Sequence, residues 1–183
     1  MEYLILGLLV LSPMTGYELQ QFIRKNLALI CSHSAGSVQT ALSKLEKDGK
    51  VTASEASEGR RRKKIFSITD AGRSAFSSWV AQPMQADKVK NMELSRLFFA
   101  GLAQPEERLA AIRDYIRQLK ETRGVLWAIQ EYFQQLDPQE LPTGTDWSQV
   151  LRFQGYTIQY GIAAAEFEIG WYSRLLHELE EQP

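Results

Sequence analysis

The spacing of apolar residues predicts three helices in the first third of the chain. Residues 2–11 are apolar on nearly every face, which is typical of a helix buried inside a small domain. Residues 17–27 and 34–48 instead repeat apolar positions every three or four residues, which predicts amphipathic helices. Thr15 is placed to cap the second helix, and Gly49 is placed to end the third.

A strand-like alternation follows the third helix and predicts a hairpin. Residues 51–56 and 62–68 alternate between apolar and polar side chains, and residues 57–60 between them are predicted to turn. A fourth helix is predicted over residues 69–81, and a turn over residues 12–16. Three helices followed by a hairpin and another helix are typical of a winged helix-turn-helix.

The second half of the chain is predicted to be helical throughout. Helices are expected at residues 91–103, 105–136 and 147–180, after a linker at residues 82–88. The last helix has an apolar seam with coiled-coil spacing and a second apolar stripe beside it. The seam consists of Ile158, Ile162, Ala165, Ile169, Tyr172, Leu176 and Leu179, and the stripe consists of Tyr160, Ala164, Phe167, Trp171 and Leu175.

A helix with two apolar stripes has to cover both of them. One stripe can pack on its own chain and the other on a second copy, so the pattern predicts a homodimer formed through the last helix. The seam is predicted to be the dimerisation surface. A monomeric helical bundle is the alternative.

The net charge has opposite signs in the two halves of the chain. Residues 1–80 contain 11 Lys and Arg against 7 Asp and Glu, whereas residues 81–183 contain 10 against 15, so the net charges are +4 and −5. A basic module suits a polyanionic partner. Residues 60–64 are five consecutive basic residues at the hairpin tip. Alone, such a run can be a solvated surface, but beside the third helix it indicates contact with DNA phosphates.

The polar face of the third helix is small, hydroxylated and cationic, so it can enter a major groove closely. Gln39 is the strongest candidate for base recognition, because its amide matches the donor and acceptor of adenine. Thr15 and Tyr17 can hold phosphate through hydroxyl and backbone N–H groups, although Tyr17 is as readily a core aromatic. The predicted DNA-binding residues are Thr15, Tyr17, Ser34, Ser37, Gln39, Thr40, Lys44, Arg60, Arg61, Arg62 and Lys63.

Aromatic residues are numerous in the acidic half. They predict either packing in a core and interface or an apolar pocket for a small aromatic effector at the dimer interface, formed by Trp127, Tyr156, Tyr160 and Trp171. One cysteine and two histidines give little basis for a disulfide or a metal site, and no catalytic or cofactor motif is visible. No cofactor and no enzymatic activity are therefore expected.

The apolar start lacks signal-peptide features, so a cytoplasmic protein without a membrane partner is expected.

Several motifs, in order along the chain, resemble those of the PadR family of transcriptional regulators. They cover roughly residues 3–80 and are Ile5–Leu9, Ser12–Leu19, Ser34–Val38, Leu42–Glu46, Gly49–Val51, Glu58–Arg60 and Ile65–Gly72. The long helical second half resembles the AphA-like branch, which has an extended C-terminal dimerisation domain.

The resemblance implies a mainly α protein with two domains. Residues 1–81 would form a winged helix-turn-helix of three to four helices with a two-stranded wing, and residues 88–183 an all-α dimerisation and effector domain. It also implies a homodimer that regulates transcription, usually as a repressor, on a palindromic operator, with the third helix in the major groove and the wing on the backbone. A winged-helix module that binds proteins and not DNA is the alternative.

Two departures from the family bear on DNA recognition. Gln39 stands where the family usually has tyrosine, so the operator is expected to differ from the family's common one. The wing tip is also more basic than is usual in the family, so phosphate contacts are expected to dominate its role.

Overall fold

A computed structural model describes residues 1–27, 35–58, 61–84 and 92–181 of the chain. The α-helices within these ranges are α1 (Glu2–Leu11), α2 (Gly16–Asn26), α3 (Ala35–Lys47), α4 (Asp70–Val80), α5 (Met92–Phe99), α6 (Pro105–Gln134) and α7 (Trp147–Glu181). The strands are β1 (Met14–Thr15), β2 (Val51–Glu58) and β3 (Arg61–Ile68). This order of elements confirms the predicted fold class, mainly α with an N-terminal winged helix-turn-helix and an all-α second half.

The chain divides into two compact units, Met1–Ala86 and Asp87–Pro183. The first unit contains α1 to α4 and the strands, and the second contains α5 to α7. Two short 3-10 turns also belong to the second unit, at Ala100–Leu102 and Pro138–Glu140. Because of the first turn, the helix predicted over residues 91–103 ends earlier than expected. Gly101 at the centre of this turn has a low helix propensity, which favours that early end.

The strands form one antiparallel sheet in the order β1-β3-β2. The predicted turn at residues 12–16 is wrong in part, because Met14 and Thr15 pair with Phe66 and Ile65 as a short third strand. The predicted turn at residues 57–60 is also too long. Pairing between β2 and β3 continues to Glu58 and Arg61, so only residues 59–60, which lie outside the described residues, connect the strands.

The core of the first unit is built from one face of each helix and from the sheet. Its fully buried side chains include Ile5 and Leu6 of α1, Leu19 of α2, and Leu42 and Leu45 of α3. Burying a leucine or isoleucine side chain of this kind contributes roughly 1.5–3 kcal/mol. The apolar stripe of α3 therefore fixes which face of that helix is turned away from the core.

Two glycines at the ends of the first unit's helices serve different needs, a left-handed backbone and a close approach. Gly49 follows α3 with a φ of 67°, the left-handed conformation predicted for a helix-ending glycine. Gly72 is buried in the first turn of α4, against the backbone carbonyl of Lys50. The Thr69 hydroxyl accepts a hydrogen bond from the Gly72 N–H and so caps α4 as predicted.

The core of the second unit is formed where α6 and α7 pack together. Ile112 and Ile116 of α6 and Tyr172 of α7 are buried, with Leu119 partly buried beside them. Ile169, Leu176 and Leu179 of the predicted dimerisation seam pack against the same cluster, and Ile162 and Ala165 are buried as well. Within one chain the seam therefore covers α6, and its use as a dimerisation surface stays a prediction.

Candidate nucleic-acid interface

The start of α2 is organised by a capping box between Thr15 and Glu18. The Glu18 N–H donates to the Thr15 Oγ1 at 3.2 Å, and the Thr15 N–H donates to the Glu18 carboxylate at 2.7 Å. Hydrogen bonds to the Glu18 carboxylate from the Thr15 backbone and side chain lower the pKa of Glu18. The Thr15 N–H therefore already serves a carboxylate of its own chain, and the contact of Thr15 with a phosphate stays a prediction.

Tyr17 in the first turn of α2 is not a core residue, since 69% of it is exposed. Its hydroxyl is accessible for an external contact, which removes the alternative of a buried aromatic.

Gly16 beside it lies close to α3. A Cβ added at Gly16 would be 3.8 Å from the Gln39 Oε1 atom, so the Gln39 amide lies next to the start of α2.

The two faces of α3 differ as the amphipathic pattern predicts. Val38, Ala41, Leu42 and Leu45 are buried. Gln39, Thr40 and Lys44 of the predicted contact set are exposed on the other side, together with Gly36 and Ser43, whereas Ser37 is only half-buried. Ser34 lies outside the described residues. The exposed side offers amide, hydroxyl and ammonium groups on a helix with little bulk, which suits entry into a groove.

Lys44 already has a partner in its own chain. Its Nζ lies 2.8 Å from the Glu2 Oε1 of α1, and this hydrogen bond raises the pKa of Lys44. Lys64 of β3 has a comparable partner, because its Nζ lies 2.9 Å from the Glu46 Oε2 of α3. Lys64 also lies over the ring of Phe66, 5.1 Å from its centroid.

The wing carries exposed cations on β3. Lys63 and Lys64 are exposed. Arg61 and Arg62 lie opposite Glu58 and Ser57 in the ladder, but their side chains, like the whole of Arg60, lie outside what the structure describes. The β3 strand pairs with β1 next to the start of α2, and the Lys64–Glu46 ion pair ties β3 to α3. The beginning of α2, the polar face of α3 and the wing therefore form one continuous surface.

Sequence reasoning found one of the two acidic members of this surface and missed the other. Helical periodicity places Glu46 at the edge of the polar face of α3. Glu2 gives no local signal, because it is 42 residues away from Lys44 and belongs to a helix whose sequence is otherwise apolar. Its position follows only from the packing of α1 on α3.

The four aromatic residues predicted to form an effector pocket are not grouped into one. All four are exposed, and Tyr156 and Trp171 are 15 positions apart on α7, about 22 Å along the helix axis. A small molecule cannot span that distance within one chain, and a pocket that these residues form at a dimer interface stays a prediction. Trp127 is instead covered on one side by the Arg123 guanidinium, 4.4 Å from the ring centroid, and Tyr156 accepts a hydrogen bond from Arg152.

The described part of the second unit contains an open cleft of about 490 Å³ elsewhere. It lies between α5, the turn after it, α6 and α7, and its lining includes Leu97, Arg108, Ile112, Tyr115 and Tyr172. Tyr172 is only 5% exposed, and burial raises the pKa of its hydroxyl. Neither this hydroxyl nor the buried Arg108 Nε atom has a hydrogen-bond partner.

Metal sites and membrane spans are both absent from the described residues. No group of three or more histidine, cysteine, aspartate or glutamate side chains there is arranged to hold a metal ion. None of the helices described is long and apolar enough to cross a membrane.

Comparison with protein families gives two adjoining matches. The model of the transcriptional regulator PadR-like family matches residues 5–78, and the model of the virulence activator alpha C-terminal region matches residues 89–180. A curated relative, the negative transcriptional regulator PadR of Bacillus subtilis strain 168, is 24% identical over 139 residues, which is 74% of each chain.

Solved structures share the fold over nearly the whole chain. Bacillus subtilis PadR in complex with operator DNA has a TM-score of 0.80 at 19% identity, covering 97% of this chain and 96% of its own. The Vibrio cholerae virulence activator AphA has a TM-score of 0.73 at 20% identity, covering 100% and 99%. A second structure of Bacillus subtilis PadR, in complex with p-coumaric acid, has a TM-score of 0.72 at 18% identity, covering 98% of each chain.

Proposed function

The chain belongs to the PadR-like family of transcriptional regulators, and we propose that it is a cytoplasmic repressor that binds a palindromic operator as a homodimer. It is a DNA-binding regulator and not an enzyme. The repressor assignment draws on the curated relative, which is named a negative transcriptional regulator, and the DNA partner on the relative crystallised with operator DNA. A winged-helix module that binds proteins is the alternative, and DNA-binding experiments distinguish the two.

The observation that carries this proposal is the continuous surface formed by the start of α2, the polar face of α3 and the wing. In the proposed complex α3 lies in the major groove, and Gln39 and Thr40 face base edges. Tyr17 contacts phosphate through its exposed hydroxyl. Ser37 and Lys44 complete the proposed contacts of α3 with the DNA, and Ser34, which precedes α3 in the sequence, is proposed to add one more.

The wing supplies the sequence-independent part of the affinity. Arg60, Arg61, Arg62 and Lys63 are proposed to contact phosphates along the backbone. Replacing Arg60, Arg61 and Arg62 with Ala is expected to weaken binding to all duplexes. It should also flatten the dependence of log K on log salt concentration by about 0.9 for each phosphate that is no longer neutralised. An affinity and salt dependence equal to those of the wild type would contradict the wing assignment.

Homodimerisation is proposed to use the second stripe of α7, since the seam is covered by α6. Tyr160 and Phe167 are 77% and 69% exposed in the single chain, and Trp171 is 36% exposed. Leu175, at the end of the stripe, is partly buried against the α6 cluster. Exposed aromatic side chains in a row are typical of a surface that a partner covers.

A small aromatic effector is the final part of the proposal. The relative crystallised with p-coumaric acid supports this class of molecule. The cleft beside Tyr172 offers apolar walls together with an unpartnered hydroxyl and an arginine N–H, which match a ring carrying an oxygen acceptor. Binding of p-coumarate, followed by isothermal titration calorimetry, is expected for the wild type and is expected to weaken for Tyr172→Phe. Equal affinity of the two proteins would contradict this location.

The operator itself tests the central proposal. We expect selection from a pool of random duplexes, followed by sequencing, to enrich an inverted repeat. Its half-sites should be centred about one or two helical turns apart, because a two-fold dimer presents two copies of α3. Enrichment of no sequence would contradict DNA regulation and favour the protein-binding module. Enrichment of a single half-site would contradict the dimeric mode of binding.

A further inference from the structure

Two carboxylates of the chain pair with lysines at the proposed DNA surface: Lys44 of α3, and Lys64, which directly follows the proposed wing contacts. Glu2 holds Lys44 with an Oε1–Nζ distance of 2.8 Å, and Glu46 holds Lys64 with an Oε2–Nζ distance of 2.9 Å. The two pairs lie on different elements, since Lys44 projects from α3 and Lys64 from β3. All four side chains are about one-third exposed or more, so an approaching phosphate can reach them.

Core packing holds both carboxylates in place. Glu2 begins α1, which is anchored by the fully buried Ile5 and Leu6. Glu46 follows Leu45 of α3, which is also fully buried. The backbone that carries each acid is therefore anchored close to its lysine. Each carboxylate is thus placed to compete with the phosphate that the lysine would bind.

We propose that Glu2 and Glu46 are positioning residues that set DNA affinity by competing with phosphates for Lys44 and Lys64. The inference rests on the proposed function and extends it to the regulation of the same surface. In the free protein the two acids hold the two lysines at fixed sites on the protein surface. In the complex, phosphates take over the ammonium groups, and the released carboxylates are hydrated and attract cations from solution.

The exchange has a measurable effect on salt dependence. A lysine that neutralises a phosphate releases a counterion from DNA and so steepens the dependence of log K on log salt concentration. When a carboxylate is set free in the same step, it takes up a cation and offsets part of that release. Removing the carboxylate should therefore steepen the salt dependence, by up to about 0.9 per lysine.

The test uses the full chain with Glu2→Gln, Glu46→Gln and the double variant. Binding to a duplex carrying the selected operator is followed by fluorescence anisotropy over a series of salt concentrations. Each single variant is expected to bind about two- to fivefold more tightly at low salt, the range set by an exposed ion pair, with a steeper salt dependence. Asp70→Asn, which removes an exposed acid from the start of α4, is the control for net charge and should have a smaller effect.

A second comparison separates local competition from general charge. Glu2→Gln should have no effect on affinity when Lys44 is already replaced by Ala, and Glu46→Gln should have none in Lys64→Ala. Tighter binding of the same size in the presence and absence of the lysine would overturn the inference. So would unchanged or weaker binding of the single variants while the wild type binds its operator. If the wild type binds no duplex specifically, the proposed function fails first and this inference fails with it.

Discussion

Single residues at the ends of helices were the best predicted part of this chain, because their signals are local. Thr15 and Thr69 cap α2 and α4, and Gly49 ends α3, and each of these roles involves groups only a few residues apart. The Glu2–Lys44 pair could not be predicted in this way, because it depends on how two distant helices pack. Short-range hydrogen bonding is thus readable from the sequence, and ion pairs between elements are not.

Gly72 provides a residue-scale test of the packing between α4 and the sheet. A Cβ at this position would overlap the carbonyl oxygen of Lys50 and lie 2.7 Å from the Ile68 Cγ1. Gly72→Ala is therefore expected to lower the free energy of unfolding by about 2 kcal/mol or more, measured by urea denaturation. Gly124→Ala is the matched control. No atom lies within 4 Å of its added Cβ, so it should stabilise α6 by up to about 1 kcal/mol.

Glu18 provides a test that depends on pH. Its pKa is lowered in the folded protein by the hydrogen bonds from Thr15, so its ionised form stabilises the fold. This contribution is complete above the ordinary glutamate pKa of about 4.3 and is lost as the pH falls through the lowered folded value. Glu18→Gln should therefore be less stable than the wild type at neutral pH, with a difference that narrows in acid. A stability difference that is constant across the acid range would argue against the capping box.

At the scale of elements, the helical spacing of apolar residues predicts where the helices lie. It does not predict which face of α7 packs inside the chain. The seam and the stripe are both apolar, and only the presence of Ile112 and Ile116 on α6 decides that the seam is covered. The hairpin shows a similar limit. Its strands remain paired as far as Glu58 and Arg61. The residues at these strand ends are mostly polar, so the alternation of apolar and polar side chains does not mark where the strands end.

Phe167 tests the exposed stripe of α7 as the surface that joins two chains. Phe167→Glu places a charge among exposed aromatic residues, so it is expected to convert the proposed dimer to a monomer in sedimentation equilibrium while leaving the helical circular dichroism unchanged. Ser173→Glu is the control, because it adds the same charge at an exposed position outside the stripe. A Phe167→Glu protein that remains dimeric would contradict the use of this stripe.

At the scale of the whole molecule, the division of charge was the most informative feature of the sequence. The net charge of +4 over residues 1–80 and −5 over residues 81–183 is by itself enough to indicate two modules. Net charge did not predict that carboxylates would lie within the basic surface, because it sums over positions that only folding brings together. The proposed DNA surface therefore combines parts of α2, α3 and the wing that net charge alone does not bring together.

The most direct test of DNA recognition by α3 is the affinity of Gln39→Ala for the selected operator and for a scrambled duplex at one salt concentration. If Gln39 reads a base, the variant should lose about tenfold or more of the affinity for the operator while its binding to the scrambled duplex stays the same. Gln134→Ala, an exposed glutamine at the end of α6, should bind both duplexes as the wild type does. A Gln39→Ala protein that still prefers the operator to the scrambled duplex by the wild-type factor would contradict base reading by Gln39 and, with it, the proposed role of the α3 face.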